Sequence, residues 1–331
     1  MKNIDVIMPI FNITDDDKKM IKEIEKKILS IEIYEKDKKD RLLIKSRVRS
    51  VYSSLAIEAN SLSLNIVNDI INNKTVLGKR TEIQEVKNAN ELYLHMKKYN
   101  WKSEKDFLEA HTILMKYFDD DDGYYRTHGE GIKKDGQIIY MAPESVLVPS
   151  LMKSLFAFIN DNDGLIHPLI LSAIFHYYFV YIHPFSDGNG RMARFWVTLM
   201  LTDYNPKFEY MPLEEELYLN QIEYYKAISE CHINGNANVF ISFMLKMIKN
   251  TLDKTTQKTT QKRIKLNESQ LAIIKFIKEN PSITRKMMAD KLNISSDGVK
   301  YNITKLVKNN IIRRVGPDNG GYWQILDNDI G

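Results

Sequence analysis

Twelve consecutive residues, HPFSDGNGRMAR from His183 to Arg194, bring together a histidine, a carboxylate, two glycines around an asparagine, and two arginines. Gly188 and Gly190 flank Asn189 directly before a segment patterned as a helix from about Arg191. Glycines at that point let backbone approach a ligand closely, and the free N–H groups of a helix start attract anions. Arg191 and Arg194 lie three apart, so on a helix they share a face and can grip phosphate oxygens in pairs. A carboxylate beside an anion site, Asp187, calls for a bridging cation. Mg²⁺ shared between a carboxylate and phosphate oxygens is the hard-ligand solution. His183 closes the preceding apolar segment and suits a general base that takes a proton from an attacking hydroxyl. These groups together describe phosphoryl or nucleotidyl transfer, in which positioning and charge stabilisation supply most of the rate.

The elements that must hold this stretch read as mainly helical. Through residues 15–120 apolar side chains recur three and four apart with charges between them. Between 123 and 143 the pattern changes to short β-prone runs around Asp135-Gly136, a two-residue hairpin signal. Helical patterning resumes at 144–160. Residues 167–181 (PLILSAIFHYYFVYI from Pro168) are apolar almost all round and predict a buried central helix. Further helices are expected at 192–203, 213–231 and 238–252. The polar, twice-repeated TTQK stretch without periodicity predicts a linker at 253–264.

HPFSDGNGRMAR resembles, at every specified position, the Fic-family motif His-x-Phe-x-(Asp/Glu)-Gly-Asn-Gly-Arg-x-x-Arg, and the resemblance extends over roughly residues 40–250. The surroundings agree: a hairpin some forty residues upstream, a buried helix leading into the motif, and EYYKAI downstream. The resemblance implies transfer of AMP from ATP to a Ser, Thr or Tyr hydroxyl of a target protein, or of the chain itself. It implies His183 as the base, Asp187 as the Mg²⁺ ligand, and Gly188, Asn189 and Gly190 as the cradle of the α-phosphate. Ser186, Arg191 and Arg194 would complete the ATP site, with Phe185 as a core anchor for the loop. Tyr224 and Tyr225 would line the adenine side. The flap strand Ile138, Ile139, Tyr140 and Met141 would pair with an extended segment of the target by strand addition.

VYSSLAIEANSLS (51–63) resembles the Fic inhibitory helix, whose pattern is (Ser/Thr)-x-x-x-Glu-(Gly/Asn). Ser54 and Glu58 fit that pattern one helical turn apart; Ala59 departs from it, with Asn60 following. A carboxylate at Glu58 able to pair with Arg194 would take the charge that should hold the γ-phosphate of ATP, so ATP would bind only unproductively.

Composition separates the last fifth of the chain. The 331 residues carry a net charge of +4, yet from Lys262 onward 13 Lys and Arg stand against 7 Asp and Glu. All of the positive excess lies there, which points to an anionic partner. Helix patterns at about 269–279, after Thr284 as an N-cap, and at about 296–309 precede two strand-like runs, IIRRV and GYWQIL, around a Gly-rich turn. This order resembles a winged helix-turn-helix domain. Duplex DNA is the implied partner, with Lys300, Tyr301 and Asn302 toward the groove and Arg313 and Arg314 toward phosphates; a protein-interaction or dimerisation module is the alternative.

The single cysteine, Cys231, excludes an intrachain disulfide framework and fits a reducing compartment. No apolar run approaches the ~18 residues that a membrane span needs. A cytoplasmic protein without membrane contact is expected, and a homodimer is open. The expected fold is mainly α. It comprises an N-terminal helical region (1–100) with the inhibitory helix at about 51–63, a Fic-type core with a β-hairpin flap (101–252), the linker (253–264), and a small winged helix domain (265–331). Two functional readings follow. One is an autoinhibited protein adenylyltransferase; the other is a DNA-binding regulator whose Fic core senses a nucleotide without transferring anything.

Overall fold

The computed structural model of the chain describes residues 9–31, 36–118, 123–134, 137–260, 266–309, 311–316 and 320–325. It divides into two compact units, Met1–Thr259 and Thr260–Gly331. The mainly α expectation holds: the first unit contains the helices α1 (Asp15–Ser30), α2 (Lys36–Ile57), α3 (Leu64–Ile71), α4 (Arg80–Leu94), α5 (Glu104–Met115), α6 (Val148–Asp161), α7 (Pro168–Ile182), α8 (Asn189–Tyr204), α9 (Leu213–Leu219), α10 (Gln221–Asn234) and α11 (Asn238–Thr260). Between α5 and α6 lies one antiparallel hairpin, β1 (Gly131–Lys134) and β2 (Gln137–Met141), bulged between Ile132 and Lys133. Its predicted turn at Asp135-Gly136 lies outside the described residues. No helix of the described residues is long and apolar enough to cross a membrane.

α7 forms the centre. Only Pro168 and Tyr181 of its residues lie outside the interior, in keeping with its all-round apolar sequence. α8 packs along it and is buried from Arg191 to Thr202. Phe107 on α5 binds the two helices together: its ring meets those of Phe156, Phe175, Phe179, Phe185 and Trp196 at centroid separations of 4.9–6.1 Å. Such aromatic pairs add about 0.5–1.5 kcal/mol each to the burial they bring. The ring set therefore anchors both ends of the motif loop between α7 and α8.

α2 meets α8 and α9 through a polar seam. Glu214 is 1% exposed, and its carboxylate accepts from Ser50 Oγ at 2.6 Å, Thr198 Oγ1 at 2.7 Å and Tyr93 OH at 2.8 Å. Three hydroxyl donors offset much of the cost of burying that carboxylate.

Three sequence expectations change here. The stretch expected as a linker from 253 is helical as far as Thr260, because extending an existing helix avoids the nucleation cost; the Thr251 and Thr255 hydroxyls are satisfied within it by Met247 O and Thr251 O. The segment 213–231 is not one helix. It breaks at Asn220, whose side-chain amide turns back to Glu216 O at 2.8 Å. The segment 51–63 is helical only to Ile57.

In the second unit α12 (Glu268–Glu279), α13 (Arg285–Leu292) and α14 (Ser296–Lys308) precede the antiparallel pair β3 (Ile312–Val315) and β4 (Tyr322–Ile325). Thr284 caps α13 as expected, accepting from Met287 N at 3.3 Å. Ile273, Ile277, Met288, Val299, Leu306 and Ile312 make a separate core. Lys300 and Tyr301 are exposed on α14. Asn302 is not: it is 7% exposed, accepts from Asn267 Nδ2 and donates to Gly298 O. It lies on the inner face because residues 299, 302, 303 and 306 share one side of the helix. On the strands, Arg313 donates to Gln324 Oε1 at 2.8 Å and Arg314 lies over the Trp323 ring.

Candidate functional site

The motif loop is built by turns that its own side chains close. His183 ends α7 in the left-handed conformation (φ 50, ψ 60), with its N–H on Phe179 O at 2.9 Å. Asn189 clamps the loop: its Oδ1 accepts from Phe185 N at 3.0 Å and its Nδ2 donates to Phe185 O at 2.7 Å. The side chain of Asn189 is thus occupied by loop closure, and only its backbone N–H is available to the cradle. Phe185 is fully buried, and His111 stacks on it at 3.6 Å and 8°. Gly123 N donates to His111 Nδ1, so the ring proton sits on Nε2 and is given to Asp187 O at 3.0 Å.

Gly188 is the N-cap of α8 at φ 81, and a β-carbon there would meet Met115 Sδ at 3.0 Å. Asp187 accepts from the Gly188 amide at 2.6 Å and from Arg191 at 2.7 Å. Burial works to raise its pKa, but the Arg191 charge and the Gly188 amide outweigh it and hold the carboxyl below its usual value. Arg191 is itself buried and lies 3.7 Å from Glu85 Oε1 as well.

Arg194 is buried, with three contacts to the α2 side: Nε to Ser54 Oγ at 3.0 Å, Nη2 to Ser54 O at 2.9 Å, and Nη2 to Glu58 Oε1 at 2.7 Å. Burial disfavours its charge, yet the Glu58 carboxylate overcomes this and holds it more firmly protonated than a free arginine. Glu58 itself lies just past the end of α2. Ala59 adopts φ 66 and Asn60 N reaches back to Leu55 O at 3.1 Å, which terminates the helix in the left-handed manner usually reserved for glycine. Gln221 and Tyr225 cap the same end by donating to Ile57 O at 3.1 and 3.4 Å. Ser54 and Glu58 therefore reach Arg194 together, as their spacing predicts.

Tyr224 does not line a cleft. It is 2% exposed and its hydroxyl pairs with His176 Nε2 at 2.8 Å, because it sits on the inner face of α10. Tyr225, half exposed, is the tyrosine at the surface. On the flap, the side chains of Ile138 and Ile139 lie outside the described residues. Tyr140 donates to Tyr181 O at 2.5 Å and stacks on His232 at 4.1 Å, while Met141 is 60% exposed.

Sequence reasoning missed Arg126. It is 2% exposed and donates to four carbonyls: Nε to His183 O at 2.7 Å, Nη1 to His128 O at 2.7 Å, and Nη2 to Pro143 O at 2.6 Å and Ile182 O at 3.4 Å. One buried cation thus caps the C-terminus of α7 and ties both roots of the hairpin to the histidine. A lone arginine in a loop carries no periodicity, so no local signal marks it. His111 on α5 and Glu85 on α4 were missed for another reason: within a periodic helix nothing local tells which side chain will meet the motif.

Burial lowers the His183 pKa below its usual value, leaving the ring neutral at neutral pH. Among the described residues, the Ser186 hydroxyl and the Arg191 Nε are buried without a hydrogen-bond partner. Orphaned polar atoms are rare in proteins, and these two belong to one motif. They fit a site shaped for a polar, anionic ligand. Asp187 retains open lone pairs and is 65% exposed at its side chain, which suits Mg²⁺ held by one carboxylate with phosphate oxygens and water.

The sequence profile of the Fic/DOC family matches residues 101–201. A Fic family protein from Desulfovibrio desulfuricans has a similar structure (TM-score 0.72) at 31% identity, over 96% of this chain and 98% of that one. The chain belongs to the Fic family. The Fic signalling protein of Bacteroides thetaiotaomicron shares the fold at 19% identity (TM-score 0.62), over 74% of this chain and all of that one. Among curated relatives, protein adenylyltransferase Fic of Nematostella vectensis is 27% identical over 231 residues, 66% of this chain and 51% of the relative. Protein adenylyltransferase fic-1 of Caenorhabditis elegans is 28% identical over 210 residues, 59% of this chain and 38% of the relative. The chain thus spans about half or less of these relatives. Beyond the Fic core, residues 266–313 match a winged helix-turn-helix DNA-binding profile.

Proposed function

We propose that this Fic protein is a protein adenylyltransferase that transfers AMP from ATP to a Ser, Thr or Tyr hydroxyl, restrained by Glu58. The observation that carries the reading is the loop from His183 to Arg194. A neutral histidine, an exposed carboxylate, a glycine-bracketed helix start and two arginines converge there, and two of the motif's buried polar atoms, Ser186 Oγ and Arg191 Nε, lack a partner among the described residues. The adenylyltransferase relatives support it at the level of the family.

In this reading the α8 N-terminus and the Gly188–Gly190 backbone orient the α-phosphate. The target hydroxyl oxygen attacks the α-phosphorus, and the bond to the bridging oxygen of pyrophosphate breaks. His183 takes the hydroxyl proton at Nε2, since Nδ1 is buried. Mg²⁺, when bound at Asp187, would neutralise phosphate charge. Arg194 would hold the γ-phosphate if Glu58 were absent. β2 pairs only with β1 among the described residues, so its outer edge is free to accept a strand of the target.

Incubating Glu58→Gly protein with labelled ATP and Mg²⁺ tests this. Self-labelling should rise about tenfold or more over the native chain, which is about 1.4 kcal/mol of released competition. His183→Ala in the same background should abolish the AMP adduct by mass spectrometry. Labelling that is unchanged by either substitution sinks the reading.

For the second unit we propose binding to duplex DNA, supported by the matched profile and by the exposed Lys300, Tyr301 and Lys305 on α14. Anisotropy with random duplex should show binding that weakens steeply with salt. Absence of binding at low salt would remove the proposal.

A further inference from the structure

Glu58 neutralises one of the two motif arginines, and the other is not free either. Arg191 stands between two carboxylates, Asp187 at 2.7 Å and Glu85 at 3.7 Å. Glu85 lies on α4, outside the motif, and its other oxygen is engaged elsewhere, with Oε2 accepting from Asn60 Nδ2 at 2.7 Å. The same amide donates to Glu82 O at 3.2 Å, and Ser61 donates to Glu82 from both its N–H and its hydroxyl. The first turns of α4 therefore clamp the chain just after the inhibitory turn, and Glu85 links that clamp to the phosphate-gripping arginine.

We infer that Glu85 is a second restraining carboxylate of the nucleotide site, acting on Arg191 by charge at 3.7 Å where Glu58 hydrogen-bonds Arg194 at 2.7 Å, and joined to the inhibitory segment through Asn60. Two guanidinium charges here face three carboxylates, Glu58, Asp187 and Glu85. With the inhibitory segment in place, and before Mg²⁺ meets Asp187, these side chains carry a net negative charge, which is unfavourable for the phosphates of ATP. Loss of Glu58 alone brings it to balance. Neutralising Glu85 as well leaves it positive, with Arg191 released except for Asp187. The orphaned Nε of Arg191 fits this arrangement: in the restrained state neither carboxylate reaches the full donor fork, so the guanidinium is held without being satisfied. A movement of the 58–61 segment would unload Arg194 directly and remove the Asn60 amide that fixes Glu85 Oε2, because Asn60 and Glu58 belong to one turn.

This inference rests on the site binding a nucleotide, not on transfer. The test is calorimetric titration of ATP and of adenosine, each with Mg²⁺, into the full native chain and into Glu85→Gln, Glu58→Gly and the double variant. Glu85→Gln is isosteric, and its thermal midpoint is measured beside the titrations to show that it folds. ATP should bind about three- to tenfold more tightly to Glu85→Gln in both backgrounds, and adenosine, which lacks phosphates, should be unmoved. If Glu58→Gly binds ATP but Glu85→Gln leaves ATP affinity unchanged or weaker, or tightens adenosine equally, the inference is overturned and the nucleotide reading stands. If none of the four proteins binds ATP, the nucleotide reading itself fails and the inference falls with it.

Discussion

Oε1 of Glu58 fills the space directly over the α-carbon of Gly190: a β-carbon built on Gly190 would lie 2.2 Å from it. The carboxylate therefore does more than pair with Arg194. It sits over the first turn of α8, where the cradle N–H groups and the positive end of the helix favour an anion. Glu58 stands in the place that the proposed phosphate would take, so in the proposed function charge and sterics would act against ATP together.

Gly190→Ala should separate these two effects. The methyl group must push Glu58 aside, costing about 1–3 kcal/mol of stability, and removing the carboxylate in a Glu58→Gly/Gly190→Ala pair should recover most of that loss. Non-additivity of this kind is the mark of contact. Unlike Glu58→Gly, the single variant should not gain ATP-dependent labelling, since the methyl obstructs the cradle as well. Activation equal to that of Glu58→Gly would show that Gly190 has no part in holding phosphate.

Ala59→Gly should stabilise the protein. Ala59 holds a left-handed conformation at φ 66 that glycine adopts without a Cβ clash. The gain expected is about 0.5–1 kcal/mol, or a rise of about 1–4 °C in the melting temperature. A firmer end to α2 should also hold Glu58 more tightly and lower basal labelling. A melting temperature that falls would refute the strain argument.

Arg126→Met keeps the bulk of the side chain and removes every donor. The carbonyls of His183, His128 and Pro143 would then lose their partners, at a cost of about 2–4 kcal/mol. Chemical denaturation should show that loss, and hydrogen exchange should rise at the hairpin roots near 128 and 143. His183→Ala, by comparison, should move stability little. A midpoint for Arg126→Met equal to that of the native chain would mean that the buried guanidinium has no structural role.

Acid should destabilise the first unit well above the carboxylate range. Complete burial, and secondarily the Arg194 charge, push His176 from 6.5 to about 3, and burial with nearby His183 pushes His232 to about 4. Below pH 6.5 the unfolded chain binds protons at these rings that the folded one refuses, so stability falls as pH falls and is fully present only above 6.5. By linkage His176 alone removes about 2 kcal/mol between pH 6.5 and 5. Urea midpoints at pH 7 and 5 measure it, and His176→Gln should flatten the dependence. Equal midpoints in the native chain would be the contrary result.

The chemistry was legible in the sequence because it is local. Twelve contiguous residues carry the proposed base, the proposed metal carboxylate, the glycines of the helix start and the arginines, and the all-round apolar run before them announces the buried helix that presents them. Ser54 and Glu58 were legible for a similar reason, since one helical turn places two side chains on one face. The acidic and basic residues of the last fifth likewise marked a separate unit by composition alone. What tertiary structure decided is everything that depends on residues distant in sequence meeting in space. Glu58 and Arg194 are 136 positions apart, and only the packing of α2 against α8 sets their carboxylate and guanidinium at 2.7 Å. Tyr224 and Asn302 turned inward because burial follows the helix face that happens to meet the core, which neighbouring residues in sequence do not reveal. Arg126 and Glu85 gave no periodic or motif signal: a buried arginine among carbonyls and a carboxylate between an amide and a guanidinium acquire their roles only from the atoms the fold brings to them.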